Sequence, residues 1–306
     1  MKKVNHMIHL PQTNHIKEES LLSLSKEKHI LDFLKRHHLE TSCIAEYWVE
    51  FLDYDKDFKE CLHCQGLSQC PKVNQGMRKN LVLHDGDLVL ELQSCHFSQH
   101  LREKRNLLSH YVVTNMEEDM LLTELGKLNV VHQVMYNQGN VSLNTKKTIQ
   151  EILSYIDNPR TQGFFLHGEA DSEKTNLLAG LMNALARKNY DIGFVHFPTY
   201  LIDLKSSFSS GDSEYAIVKL MKVDYLLLDG IGEENVTPWS RDEILLTLLS
   251  YRLLHRLPTF FTSMYGYNDL KKVYTIKKGD EIRTNTLISK MKSLSIEIML
   301  DGGKIR

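Results

Sequence analysis

Long apolar runs are missing from this sequence. No stretch approaches the roughly 18 residues that a helical membrane span needs, so an integral helical membrane protein is not expected. Cysteine is scarce and unevenly placed, five in 306 residues, too few for a disulfide scaffold. An excess of one charge sign is missing too. Against 39 Asp and Glu stand 37 Lys and Arg, a formal net charge of -2, which removes the simple electrostatic argument for a nucleic-acid protein but leaves room for a local basic patch. Met1–Leu10 alternates polar and apolar residues and has no continuous signal core. No internal repeat or low-complexity tract is evident. What is present is ordinary globular composition, 42% apolar and 25% charged. A chain of this length suggests two domains, and the expectation is a soluble, cytoplasmic protein without a membrane partner. Fifteen histidines make metal binding worth testing.

The periodicities divide the chain. Residues 15–59 read as helical, with Leu21, Leu22, Leu24, Ile30, Leu31, Phe33 and Leu34 at three- and four-residue spacings. A second helix is expected near Cys43–Leu52. Leu88, Leu90 and Leu92 alternate after Asp85-Gly86, the pattern of a hairpin strand. A short helical pattern around Met120–Leu128 ends in the turn-rich Asn137–Asn144, which reads as a linker. Beyond it, helices near Thr145–Ile156, Lys174–Arg187, Tyr200–Phe208, Glu214–Met221 and Arg241–Leu254 alternate with apolar strands at Gly163–His167, Ile192–Phe197, Asp224–Asp229 and Thr259–Ser263. Such alternation implies a parallel sheet covered on both faces. The expected boundaries are 1–110 for a small, mainly helical domain, 111–143 for the linker and 144–306 for the α/β domain.

Four of the five cysteines fall in one short segment. Cys61-Leu62-His63-Cys64 is a C-x2-C knuckle, Cys70 follows, and Cys95 comes after the alternating strand. Two thiolates from a tight turn and two from later backbone suit a tetrahedral site at ~2.3 Å; soft sulfur favours zinc or an iron–sulfur cluster, and zinc is expected since nothing else here suggests redox work. Cys61, Cys64, Cys70 and Cys95 are therefore the candidate ligands of a structural Zn2+, with His84 as an alternative to Cys70. His63 is expected to point away. Cys43, on a helix, reads as core. His37, His38 and His96 lack ligand spacing.

Gly168-Glu169-Ala170-Asp171-Ser172-Glu173-Lys174-Thr175 follows a strand and opens a helix. It matches the phosphate-loop pattern G-x4-G-K-[ST], except that Glu173 stands where the second glycine belongs. In such a loop, backbone N–H groups cradle phosphates, the lysine reaches the outer ones and the hydroxyl holds Mg2+. If Glu173 must adopt a glycine-type conformation, the strain is on the order of 1–3 kcal/mol. Glu169 and Asp171 add like-charge repulsion, so ATP/Mg2+ binding is expected to be weakened. Tyr225-Leu226-Leu227-Leu228-Asp229 is an apolar strand ending in an acid, a Walker B strand whose Asp229 helps hold Mg2+. Gly230 stands where a second, water-polarising carboxylate is usual. Glu233 and Glu234, on the following loop, are the substitute acids. Gly168, Lys174, Thr175 and Asp229 are the candidate nucleotide-binding residues, and Asp229, Glu233 and Glu234 the weak catalytic candidates.

Three segments carry a family resemblance: Asp229-Gly230-Ile231-Gly232-Glu233-Glu234-Asn235, Trp239-Ser240-Arg241-Asp242-Glu243, and Leu257-Pro258-Thr259-Phe260-Phe261-Thr262-Ser263. Together with the cysteine knuckle they resemble the DnaI branch of bacterial replicative-helicase loaders. The resemblance implies an N-terminal zinc domain that grips the hexameric replicative DNA helicase. It also implies a C-terminal AAA+ module, a parallel sheet flanked by helices, that binds ATP and single-stranded DNA during primosome assembly. The chain departs from the family at Glu173 and Gly230. Met264 stands where a polar sensor asparagine is expected, Thr286 at the arginine-finger position and Lys290 at the second sensor arginine, with Arg283 as a displaced finger. A thioether cannot orient water strongly and a threonine cannot neutralise transferring phosphate charge. The implied ATPase is therefore degenerate. Finally, Lys271–Arg306 holds nine basic residues against four acidic ones, a surface that could follow a single strand, with Tyr265, Tyr267 and Tyr274 for base stacking.

Overall fold

The computed structural model describes residues 11–136, 141–207 and 213–300. The chain divides into two compact units, 1–104 and 105–306. Among the described residues, no helix is long and apolar enough to cross a membrane.

The first unit starts with four helices: α1 (Pro11–Leu24), α2 (Lys28–Arg36), α3 (Cys43–Glu46) and α4 (Trp48–Cys61). A hairpin follows, β1 (Met77–His84) antiparallel to β2 (Asp87–Ser94), turning at Asp85 and Gly86 as the alternation predicts. Each strand buries one leucine against the helices, with Leu83 and Leu90 partly buried beside them. Leu81 and Leu88 pack with Leu24, Ile30, Phe33, Leu34, Ile44 and Phe51 in a single core, and each such side chain contributes about 1.5–3 kcal/mol when fully buried. Cys43 packs at the edge of this core, as expected, and burial pushes its thiol pKa up.

Helix α5 (His96–Ser109) leads to β3 (Tyr111–Thr114), the first strand of the second unit. Short helices α6 (Glu118–Leu121) and α7 (Asn129–Met135) follow, then α8 (Leu143–Asp157), β4 (Gly163–His167) and α9 (Lys174–Ala186). The remainder runs β5 (Ile192–His196), α10 (Phe197–Ser207), α11 (Ser213–Lys222), β6 (Tyr225–Asp229), a π-helical turn at Trp239–Leu246 continuing as α12 (Thr247–Leu254), β7 (Thr259–Ser263), α13 (Tyr267–Tyr274), α14 (Glu281–Leu294) and β8 (Ser295–Met299). The sheet has six strands in the order β3-β5-β6-β7-β4-β8, every pairing parallel. Two apolar clusters sandwich it, one built on α8 and α9 and the other on α10 to α14. The expected parallel sheet is present, and β4 and β7 span the residues that the apolar runs predict.

The linker expected over 111–143 is not what the described part of that segment forms. Tyr111–Thr114 is an edge strand paired with β5. Leu121, Leu125, Val130 and Val131 are buried beside α9. Gly180 of α9 allows that approach, since a Cβ there would lie 2.8 Å from Leu125. Asn183 Nδ2 and Tyr111 Oη both donate to Leu121 O, at 2.8 and 3.1 Å. These elements are too short to show a period, so the sequence pattern concealed a layer of the second unit. Residues 137–140 lie outside the described ones. The second edge strand, β8, was also illegible, because only Ser295 of its five residues is buried.

Arg252 holds the sheet's far layer together without a carboxylate. Fully buried, it donates from Nε to Thr259 Oγ1 at 2.8 Å. Its two Nη atoms reach the carbonyls of Leu220, Met221, Val223, Asp224 and Pro258 at 2.7 to 3.4 Å. Two of these carbonyls, Leu220 and Met221, belong to the last turn of α11 and a third, Val223, follows it, where the helix dipole favours a cation. Burial pulls its pKa down to about 9.

Candidate nucleotide site and cysteine pocket

Ligands of open parallel sheets bind outside the carboxyl ends of the strands, and the phosphate loop lies there, between β4 and α9. Gly168 enters it with φ 148°, and a Cβ at this position would sit 2.2 Å from Leu300 O. Only glycine fits. Two non-glycine residues then take the left-handed conformation, Asp171 at φ 58° and Glu173 at φ 62°. The conformation that makes glycine preferable at position 173 is therefore present with a glutamate in it. Asn176 Nδ2 donates to its Oε2 at 2.6 Å, which fixes the side chain.

Lys174 is buried and turned back into the loop. Its Nζ donates to Gly168 O at 3.0 Å, Glu169 O at 2.6 Å and Ser172 Oγ at 2.9 Å. Burial lowers its pKa, while Glu233, Asp229 and Asp171 act in the opposite direction. Thr175 Oγ1 donates to Asp229 Oδ1 at 2.7 Å, so the two groups assigned to Mg2+ meet across the sheet end. The same oxygen accepts from Thr262 Oγ1 at 2.5 Å, and Thr262 Oγ1 in turn accepts from Gly230 N at 3.0 Å. Thr262 was not singled out as a site residue. Its signal was available: it precedes the end of the strand that pairs beside β6.

The two substitute acids separate. Glu234 is buried, its Oε2 accepting from Gly232 N at 2.8 Å and its Oε1 from Tyr274 Oη at 2.6 Å. Burial raises its pKa, and its role in the described structure is to hold the loop. Glu233 is exposed, and its Oε2 lies 3.4 Å from the point where a side chain on residue 230 would begin. His196 Nε2 stands 3.0 Å from the same point. An acid at 230 would meet that ring, a relation visible only through the register that pairs His196 with Asp229.

Met264 is exposed just past β7. Arg283 donates to Asp242 Oδ2 at 2.6 Å, and Asp242 also grips the buried Arg241 through both oxygens at 2.7 and 2.9 Å. Arg241 further binds Tyr274 O and Asp280 Oδ2 at 2.9 and 3.1 Å. Thr286 Oγ1 bonds back to Ile282 O, and Lys290 is half-buried. Of the three tyrosines offered for stacking, only Tyr265 is exposed. Tyr267 is buried against Phe165 with its hydroxyl on Ser295, and Tyr274 is buried on Glu234. Their aromatic signal was a core signal. Lys271, Lys272, Lys277, Lys278, Arg283 and Lys292 are exposed, whereas Lys304 and Arg306 lie outside the described residues.

In the first unit, Cys61, Cys64, Cys70 and Cys95 all line one cavity of ≈ 570 Å³. The knuckle is closed by Cys64 N donating to Cys61 O at 3.2 Å, and Cys95 N donates to Gly76 O at 2.7 Å. The Cys70 thiol is drawn down in pKa by the backbone N–H groups of Gly76 and Lys72. Soft thiols from three pieces of backbone facing one cavity fit a Zn2+ site in donor chemistry. Among the described residues, however, no three of these sulfurs have come within 4.8 Å of one another, whereas a tetrahedral S4 site needs about 3.8 Å between sulfurs. His84 is not at this cavity. It pairs at 2.6 Å with Glu91 on the exposed hairpin, which removes it as the alternative to Cys70. His63 is exposed, as expected, while His96, dismissed on spacing, lines the cavity.

No protein-family model matches the chain. The replicative helicase loader DnaI of Bacillus subtilis (strain 168) is 25% identical over 290 residues, covering 93% of this chain and 91% of that protein. The chain is DnaI-like along nearly its whole length. The fold agrees: a solved structure of DnaI superposes with a TM-score of 0.53 at 23% identity, covering 67% of this chain and all (100%) of that one. A candidate primosome component from Streptococcus pyogenes serotype M3 gives a TM-score of 0.53 at 25% identity over 66% of this chain and 98% of its own. The α/β unit of this DnaI-like chain is an AAA+ fold.

Proposed function

We propose that this DnaI-like chain is a helicase-loader-type primosomal protein whose partner is the replicative DNA helicase, with a first unit held by Zn2+ and an AAA+ unit whose ATP hydrolysis is weak or lost. The observation that carries the reading is Glu173 in the left-handed conformation at the mouth of a loop where Lys174, Thr175 and Asp229 are otherwise assembled. Nucleotide binding would rest on Gly168, Lys174, Thr175 and Asp229. To reach a phosphate, Lys174 must exchange its three loop acceptors for phosphate oxygens. Arg283 is engaged by Asp242, and Thr286 offers no charge, so the transferring phosphate would lack its neutralising cation; loss of such a group alone costs ~10³–10⁵ in rate. Zn2+ would be held by Cys61, Cys64, Cys70 and Cys95 and would supply structural closure. The exposed lysines of α13 and α14, with Tyr265, support a contact to single-stranded DNA.

The decisive experiment is co-purification with the replicative helicase, with and without ATP, alongside ATPase turnover. Capture of the helicase and negligible turnover are expected. Turnover comparable to an intact AAA+ protein, abolished by Lys174→Ala, would overturn the degenerate-ATPase reading. A second reading, an active ATPase, is favoured by Glu233 beside Gly230 and predicts turnover that Glu233→Gln removes. A non-enzymatic adaptor differs from both in showing no saturable binding of a fluorescent ATP analogue.

A further inference from the structure

The first unit holds a second constellation beside the thiols, partly on the helix that ends at Cys61 and with His29 and Phe58 lining the same cavity. Glu27 precedes α2, His29 lies in its first turn, and Asp55 and Lys59 are one turn apart on α4. The His29 ring is stacked on Phe58, with centroids 4.0 Å apart and planes at 7°. That stacking fixes the ring's plane. His29 Nε2 lies 3.1 Å from Asp55 Oδ1, within ion-pair distance, yet both atoms are buried and neither makes a hydrogen bond. Lys59 Nζ takes the other oxygen of each carboxylate, Glu27 Oε1 at 2.7 Å and Asp55 Oδ2 at 2.9 Å. Glu27 Oε2 remains, 3.9 Å from His29 Nδ1.

One imidazole nitrogen and one oxygen from each carboxylate lie within 4.8 Å of one another, the only such trio among the described residues. A nitrogen and an oxygen 3.1 Å apart without a hydrogen bond between them match the edge of a coordination polyhedron with ~2.0–2.2 Å arms. Two carboxylates against one ammonium leave a net negative site. The imidazole selects first-row transition ions over Mg2+ or Ca2+. From this geometry we infer that Glu27, His29 and Asp55 bind a divalent transition cation of the Zn2+ class, tying the start of α2 to α4 through ligands other than the four thiols. Lys59 competes with that cation for the carboxylates.

The test titrates the purified full-length chain, freed of metal, with Co2+ and with Zn2+. Thiolate ligation to Co2+ gives an intense near-ultraviolet charge-transfer band, whereas a nitrogen–oxygen site gives only weak visible bands, so the two sites report separately. One equivalent without a thiolate band is expected, and His29→Gln combined with Asp55→Asn should abolish it while leaving any thiolate band and the circular dichroism unchanged. Lys59→Met, which removes the competing charge, should tighten this equivalent about tenfold. Should the double variant unfold, the His29 ring ¹⁵N resonances of the unaltered chain serve instead, and they are expected to shift on adding Zn2+. Equal stoichiometry in parent and double variant, binding with thiolate character only, or unmoved His29 resonances would each overturn the site.

Discussion

In the phosphate loop, Lys174 directs its ammonium at three acceptors of its own loop, and Thr175, Asp229 and Thr262 are already hydrogen-bonded to one another. In the cysteine pocket, four thiols line one cavity, with Cys64 and Cys70 in contact but, among the described residues, no three sulfurs within 4.8 Å of one another. The groups of the first arrangement are hydrogen-bonded within the protein, because a buried parallel sheet sets its strand ends and the polar groups there must find partners. The second is assembled from a turn, a loop and the segment after a hairpin, and on the proposed reading Zn2+ would close it. Ligand removal should therefore affect the two units unequally.

The largest expected effect breaks the comparison at the pocket. If Zn2+ closes the four thiols, chelation or Cys61→Ser with Cys64→Ser should expose residues 1–104 to limited proteolysis while 105–306 stays protected, since structural zinc sites contribute ~10–16 kcal/mol in small domains. Metal analysis finding no stoichiometric zinc in the purified chain would sink this prediction. The converse break lies in the second unit. Arg252→Ala leaves five carbonyls, two of them buried and three partly buried, without this donor and should destabilise the AAA+ unit by ~3–5 kcal/mol in denaturant titration, with the first unit's proteolysis unchanged.

Next in size is the loop itself. Glu173→Gly relieves a left-handed glutamate and removes an acid, and should tighten a fluorescent ATP analogue by ~1–3 kcal/mol, roughly 5- to 150-fold. An unchanged affinity would mean that Glu173 is not what weakens the site. The smallest effect is a pH dependence. Arg241 foremost, then Arg283, holds the Asp242 carboxyl below its usual pKa against the opposing effect of burial. Its stabilising contribution is therefore present above the unfolded value of about 3.9 and is lost as pH falls through the lower folded value. Asp242→Asn should flatten the acid limb of the second unit's stability curve, and an unaltered limb would exclude this ion pair as its source.

Legibility followed the range of the causing interaction. Gly163–His167, Thr259–Ser263 and Lys174–Ala186 could be read because an apolar strand between helices, or an apolar helix after a glycine loop, announces itself within a dozen residues. The strand at Tyr111–Thr114 could not, since it is four residues long at a sheet edge, stabilised by a partner eighty residues away. The two acids after Gly230 look equivalent in sequence. Tyr274, forty residues on, takes Glu234 as its partner and leaves Glu233 exposed. His29 had no ligand spacing, and only the packing of α2 on α4 brings it to Asp55.

The sequence by itself determined the alternation of helices and strands from α8 to β7, the phosphate loop with its misplaced glutamate, and a cluster of four cysteines, because each is written in local pattern or spacing. Tertiary structure alone decided which tyrosines face solvent, which glutamate is structural, that His84 stands apart from the thiols and that His29 meets two carboxylates. Those outcomes depend on side chains brought together from distant segments, where burial forces every polar group to choose one partner over the others.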